Sequence, residues 1–286
     1  MKIYADENIQ GLQWYEIIIN MPLALLESTY NFLWFYVNGL TVKKDEQGFS
    51  LKAYVFSLYP HDLLKKLQKI LRIQARSFNV EYEVPSVNHA SLSLTDDFII
   101  VPHPTPHVPP FGISIFIQRG RAFGTGSHPC TIYCLEGLKS ILKSNSGECY
   151  TGKILDAGMG TGILSIAAGK LGAKDITAVD INDESIKEAQ ENIILNDLTG
   201  AIHIFHCSIT DVRGQFNIIL ANLYGSLLLE ISSSLVRQLI PQGWLIAGGM
   251  NIQQSEMVIP SFTQYGLKEY TRYFDEEWSV VVLKKL

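Results

Sequence analysis

The sequence predicts an α/β protein: a doubly wound, Rossmann-like parallel sheet preceded by a smaller α+β domain. Three observations carry this. Strand-like and helix-like segments alternate from Ile113 onward. A glycine-rich turn, Lys153–Gly162 (KILDAGMGTG), joins a strand to a helix, and Asp180 closes the next strand. Ahead of residue 85 the pattern changes to a compact run of strands and two helices.

The elements follow in order. Trp14–Asn20 alternates as a strand, and Pro22 opens a helix to about Val37 with Leu25, Leu26, Thr29, Leu33 and Tyr36 near one face. Gly39–Lys44 and Phe49–Leu58 are strands around the turn at residues 45–48. His61–Gln74 is an amphipathic helix, with Leu64, Leu67 and Leu71 recurring, and Phe78–Val84 is a strand. The order βαββαβ is that of a ferredoxin-like unit. Residues 86–112 form a connector stiffened by Pro102, Pro104, Pro106, Pro109 and Pro110, with one strand at Asp97–Val101. His103 and His107 stand four apart, but the prolines between them forbid the helix that would make this a metal-ligand spacing, so no metal is expected. The division is therefore 1–85, a connector at 86–112, and 113–286.

In the second domain, Ile154-Leu155-Asp156 leads into Gly158, Gly160 and Gly162, and Ile163–Leu171 is the following helix. Strand Ile176–Asp180, helix Glu184–Asn196 and strand Ile202–Phe205 continue the alternation. Strand Phe216–Ala221, helix Leu227–Leu239 and strand Trp244–Gly248 come next. A helix near Gln254–Tyr265 then leads to a hairpin, Glu269–Phe274 and Glu277–Leu283.

A glycine turn at a helix N-terminus lets a nucleotide-like ligand approach backbone N–H groups. The dinucleotide fingerprint G-x-G-x-x-G does not fit, because Ile163 occupies the third small-residue position. Asp180 can accept both hydroxyls of a ribose. Two further segments bear on chemistry. Gly120–Thr131 (GRAFGTGSHPCT) is a loop entering a helix at Pro129, capped by Ser127 or His128, with Thr125 and His128 able to reach a ligand. Ile218–Tyr224 (IILANLY) ends an apolar strand on Asn222, where open α/β sheets bind ligands.

Together these segments, with the terminal EWSVVVL, resemble the ribosomal protein L11 methyltransferase family, PrmA, over roughly Gly120–Leu283. The resemblance implies a seven-stranded class I methyltransferase domain using S-adenosylmethionine (SAM). It also implies an N-terminal ferredoxin-like domain that recognises L11, and methylation of lysine side chains and the N-terminal amine of L11. Asp156, Gly158 and Gly160 would bracket the methionine part of SAM. Asp180 would hold the ribose, and Ile181 and Ser208 would line the adenine. Thr125 and Gly126 would close over the cofactor. Asn222, with Thr125 and His128, would serve the transfer. The chain departs from the family at Cys130-Thr131, where Thr-Thr is usual, and in Ser86–Asp97, which has no tryptophan, lysine or arginine.

Net charge of −5 argues against a broad grip on nucleic acid, and no sequence-specific nucleic-acid contact is expected. Four irregularly spaced cysteines suggest free thiols in a reducing compartment. Asp6 and Glu7 interrupt any signal-like start, and no apolar run is long enough for a bilayer. A monomeric cytoplasmic enzyme is expected. Two other readings share the fold: methylation of another protein lysine or a nucleic-acid base, and a non-catalytic SAM-binding assembly factor.

Overall fold

A computed structural model describes residues 13–45, 48–57, 82–83, 98–104, 108–109, 112–118, 120, 122–143 and 150–286. The chain divides into two compact units, Met1–Arg119 and Gly120–Leu286.

The first unit contains strand β1 (Gln13–Met21), helix α1 (Leu23–Leu33), β2 (Gly39–Asp45), β3 (Gly48–Ser57), β4 (Tyr82–Glu83), β5 (Phe98–His103) and β6 (Ile113–Gln118). They form one sheet in the order β4-β1-β3-β2-β5-β6, antiparallel except for β5 with β6. Pro22 precedes α1 as its extended N-cap, a position that its fixed φ suits. The helix buries Leu25, Leu26, Thr29, Tyr30 and Leu33. It ends before Tyr36, which is exposed, so Tyr30 takes the core place expected of Tyr36. The expected helix His61–Gln74 lies outside the described residues, as does Ser86–Asp97.

The strand at Ile113 does not begin the doubly wound sheet. It pairs in parallel with β5, and its alternate side chains Ile115 and Ile117 are fully buried in the first unit. A period of two with apolar residues on one face marks a strand but does not say which sheet receives it.

The second unit contains α2 (Pro129–Lys143), β7 (Lys153–Ala157), α3 (Ile163–Lys170), β8 (Asp175–Asp180), α4 (Asp183–Leu195) and β9 (Ile202–His206). These are followed by β10 (Phe216–Asn222), α5 (Gly225–Gln238), β11 (Leu239–Asn251), α6 (Ile252–Thr263), β12 (Leu267–Phe274) and β13 (Trp278–Lys285). The seven strands run in the order β12-β13-β11-β10-β7-β8-β9, all parallel except β13, which is antiparallel to both its neighbours. The chain winds outward from β7 to β9, then returns to lay β10 on the other side of β7. The strand order reverses there, and the carboxyl ends of β7 and β10 flank a crevice. Leu155, Ile219, Leu245 and Val281 are buried at the sheet centre, under Leu228, Leu235 and Phe262 of the helices. Long runs of buried residues on β7, β10 and β11 are what a sheet covered on both faces requires.

Candidate active site

The crevice holds a cavity of about 290 Å³, lined by the glycine turn, the ends of β8 and β10, and the loop before α2. That is near the lower end of small-molecule sites. Of the residues singled out from sequence, His128, Gly158, Gly160, Asp180, Ile181, Ser208 and Asn222 line it. Asp156, Thr125 and Gly126 do not.

Asp156 is only 1% exposed and is not part of the cavity wall. Its Oδ2 accepts from the backbone N–H of Ser165 at 3.1 Å and from the Ser165 hydroxyl at 2.6 Å. Helix α3 starts from Gly162, which has no side chain to cap it, so Asp156 supplies the missing acceptor at the first turn. Burial pushes its pKa up from 3.8 to about 6, against the lowering effect of the Ser165 bonds, and the nearby Asp180 charge adds to the rise.

The turn itself differs from the expected array of open N–H groups. Gly158 and Met159 both donate to Val179 O, Thr161 donates to Phe123 O, and Gly162 donates to Met159 O. Gly160 donates to Asp180 Oδ2 at 3.0 Å. The glycines serve close approach instead. A Cβ on Gly160, at φ +54°, would sit 2.3 Å from Phe123 O.

Asp180 is held from two sides, because its Oδ1 accepts from Asn182 N–H at 3.0 Å. Each carboxylate oxygen keeps a lone pair for a ligand hydroxyl. Ile181 projects into solvent beside it, 72% exposed. Its carbonyl meets His206 Nε2 at 3.0 Å. Ser208 caps the short 3₁₀ turn Ile209–Asp211, accepting from Thr210 N–H at 3.3 Å.

The loop before α2 is docked on the glycine turn. Ala122 N–H donates to Glu188 Oε2 at 3.0 Å, and the Thr161 hydroxyl donates to Gly124 O at 2.6 Å. Thr125 Oγ1 lies 3.4 Å from Ser127 Oγ. His128 caps α2: its Nδ1 accepts from Cys130 N–H at 3.2 Å and its carbonyl receives Thr131 and Ile132 N–H. The ring stands edge-on to Trp278 at 4.5 Å and to Phe123 at 5.1 Å. Cys130 and Cys134 are buried in α2, and burial pushes both thiols up, Cys130 to about 12, which disfavours the reactive thiolate.

Asn222 ends β10 on the cavity wall. Its Nδ2 is 3.4 Å from Thr131 Oγ1, while its Oδ1 is buried with no hydrogen-bond partner. A buried carbonyl without a donor is costly unless a ligand supplies one. Room for this side chain comes from Gly248, where a Cβ would lie 3.1 Å from Asn222 Oδ1. Next to it, Gly249 at φ +81° would place a Cβ 2.4 Å from Leu223 O. The two glycines coincide with a register shift between Ala247 and Met250 against β13.

Phe123, Leu223, Gly249 and Trp278 line the cavity without having been given a role from sequence, and Thr131, Thr161 and Gly248 contact residues that line it. The GG pair in Ala247–Met250 was a usable signal, because glycines inside a strand mark a bulge or close approach. Thr161 gave none, and Thr131 stood out only beside Cys130 where the family has Thr-Thr, since a threonine's role depends on what faces it.

Among the described residues there is no group of three or more His, Cys, Asp or Glu able to hold a metal ion. Nor, among them, is there a helix long and apolar enough to cross a membrane. The polar groups left open, a fixed carboxylate and an unpartnered carboxamide oxygen between apolar walls, fit a nucleoside-bearing cofactor and a hydrogen-bond donor beside it.

The sequence and the fold also resemble known proteins. The sequence model described as Ribosomal protein L11 methyltransferase (PrmA) matches residues 87–286. A ribosomal protein L11 methyltransferase of Geotalea uraniireducens is 38% identical over 173 residues, covering 58% of this chain and 55% of that protein. One from Streptococcus agalactiae is 35% identical over 194 residues, covering 67% of this chain and 59% of that protein. The chain thus spans little more than half the length of these relatives. The crystal structure of a ribosomal protein L11 methylase from Lactobacillus delbrueckii subsp. bulgaricus superposes with a TM-score of 0.59 at 28% identity, covering 70% of this chain and 98% of that one.

Proposed function

This chain belongs to the ribosomal protein L11 methyltransferase family, and on that premise we propose that it transfers methyl groups from SAM to lysine side-chain and N-terminal amines of ribosomal protein L11. The observation that carries the proposal is the buried, unpartnered Oδ1 of Asn222 at the carboxyl end of β10.

Asp180, Ile181 and Ser208 line the cavity and would hold the nucleoside end of the cofactor, and the glycine turn at Gly158 and Gly160 would border its amino-acid end. SAM supplies a methyl group on a positively charged sulfur. The chain has to deliver a neutral amine to it. A lysine amine has a pKa near 10.4, so neutralising it at pH 7 costs about 4–5 kcal/mol. Phe123, Leu223 and Trp278 give the cavity wall an apolar lining, and an apolar setting disfavours the ammonium form. Asn222 is not a base. Its Oδ1 accepts an N–H of the amine and aims the nitrogen lone pair, while Thr131 anchors the Nδ2 side of the carboxamide. The proton leaves to water. The rate enhancement is then chiefly one of position.

The test is methyl transfer from labelled SAM to recombinant L11, with the modified residues read by mass spectrometry. Label on L11 lysines and its N-terminus is the expected result. No label on L11, with label on another protein or on nucleic acid in an extract, would replace the acceptor and keep the chemistry. No turnover on any acceptor would end the enzymatic reading.

A further inference from the structure

We propose that Thr161 is a positioning residue that latches the loop Ala122–His128 onto the glycine turn, so that the two walls of the crevice move as one body. Thr161 is fully buried, and every polar group it has is engaged with a different partner. Its N–H donates to Phe123 O at 3.0 Å, and its hydroxyl donates to Gly124 O at 2.6 Å. Its carbonyl accepts from Asn192 Nδ2 of α4 at 2.9 Å. Asn192 lies one helical turn beyond Glu188, which takes the Ala122 N–H at the start of the same loop. Loop, turn and α4 are thereby tied by three hydrogen bonds around one residue. Glycine at 124 and at 160 is part of the latch. A Cβ at Gly124 would lie 2.8 Å from Thr161 Oγ1, and one at Gly160 would lie 2.3 Å from Phe123 O.

The consequence is functional because of what each part carries. The loop holds Phe123 and His128 at the cavity, and the turn leads to Asp180 through the Gly160 N–H. Thr161 does not line the cavity. It sets the distance between the residues assigned to them, and in that respect the inference rests on the methyltransferase reading above.

Amide hydrogen exchange on the full chain without cofactor tests the latch directly. In the wild type, the Ala122 and Thr161 amides should share one opening event and show protection equal within about threefold. Thr161→Val, which keeps shape and removes the hydroxyl, should speed exchange at Ala122 about tenfold, the scale of one buried hydrogen bond, while core amides such as Ile219 keep their protection. Thr161→Ser should restore it. With L11 as acceptor, Thr161→Val should lower kcat/KM about tenfold and Thr161→Ser should not. Unrelated protection at Ala122 and Thr161 in the wild type overturns the proposal, a result that does not depend on any variant folding. So does a Thr161→Val protein whose core amides loosen in step with the loop, or whose loop exchange is unchanged. The exchange measurement needs no cofactor, so its failure is separable from that of the methyltransferase reading, which is judged on turnover.

Discussion

The backbone N–H of Gly160 donates to Asp180 Oδ2 at 3.0 Å, joining the turn after β7 to the acid that ends β8. With the Asn182 N–H on the other oxygen, the carboxylate is fixed before any ligand arrives. A fixed acceptor loses less freedom on binding than a mobile one. The acid is therefore both a brace for the glycine turn and the proposed ribose anchor.

Replacing Asp180 with Ala should weaken binding of adenosylhomocysteine by roughly 10- to 100-fold, the range of one or two hydrogen bonds to a charged group. Isothermal calorimetry reads this directly. An unchanged dissociation constant would remove Asp180 from the site.

Gly160→Ala should destabilise the second unit by at least about 2 kcal/mol, because the new Cβ meets the Phe123 carbonyl and φ is left-handed. Urea unfolding measures it. A wild-type midpoint would mean that the turn and the loop are not packed as described.

Asn222→Ala should leave adenosylhomocysteine affinity within about threefold of wild type and reduce turnover on L11 by roughly 100-fold or more, the scale seen when one preorganised hydrogen-bonding group is removed. Steady-state kinetics beside calorimetry separates the two effects. Loss of cofactor binding with turnover unimpaired at saturation would reverse the assignment.

Asp156 predicts a pH signature. Its pKa is raised in the fold to about 6, chiefly by burial, so the folded chain holds this proton where the unfolded chain has released it. The associated stability is fully present below the unfolded value of 3.8 and is lost as pH rises through about 6. Asp156→Asn cannot titrate, so its stability relative to wild type should rise by about 2 kcal/mol between pH 4.5 and pH 7.5, at about 1.4 kcal/mol per pKa unit. Unfolding curves at the two pH values that stay parallel for both proteins would contradict it.

Local patterns settled much of this protein in advance. Period-two apolar runs and capped amphipathic segments mark the strands and helices of the second unit, because each element must bury one face or both whatever its neighbours are. The glycine turn, Asp180 and Asn222 were legible for a related reason. They sit at strand ends, and a doubly wound sheet brings such ends to one crevice. Other features depended on what lies across space. Ile113–Gln118 reads as a strand in any sheet, and only the packing of Ile115 and Ile117 assigns it to the first one. The role of Asp156 as a buried brace for α3 follows from its bonds to Ser165, and the closed N–H groups of the turn follow from their bonds to Val179, Phe123, Met159 and Asp180. Sequence spacing dictates which residues share an element and an end. Which hydrogen-bonding groups remain open to a ligand is decided only when the other elements have claimed theirs, because each donor and acceptor has few places to give and the fold fills the nearest first.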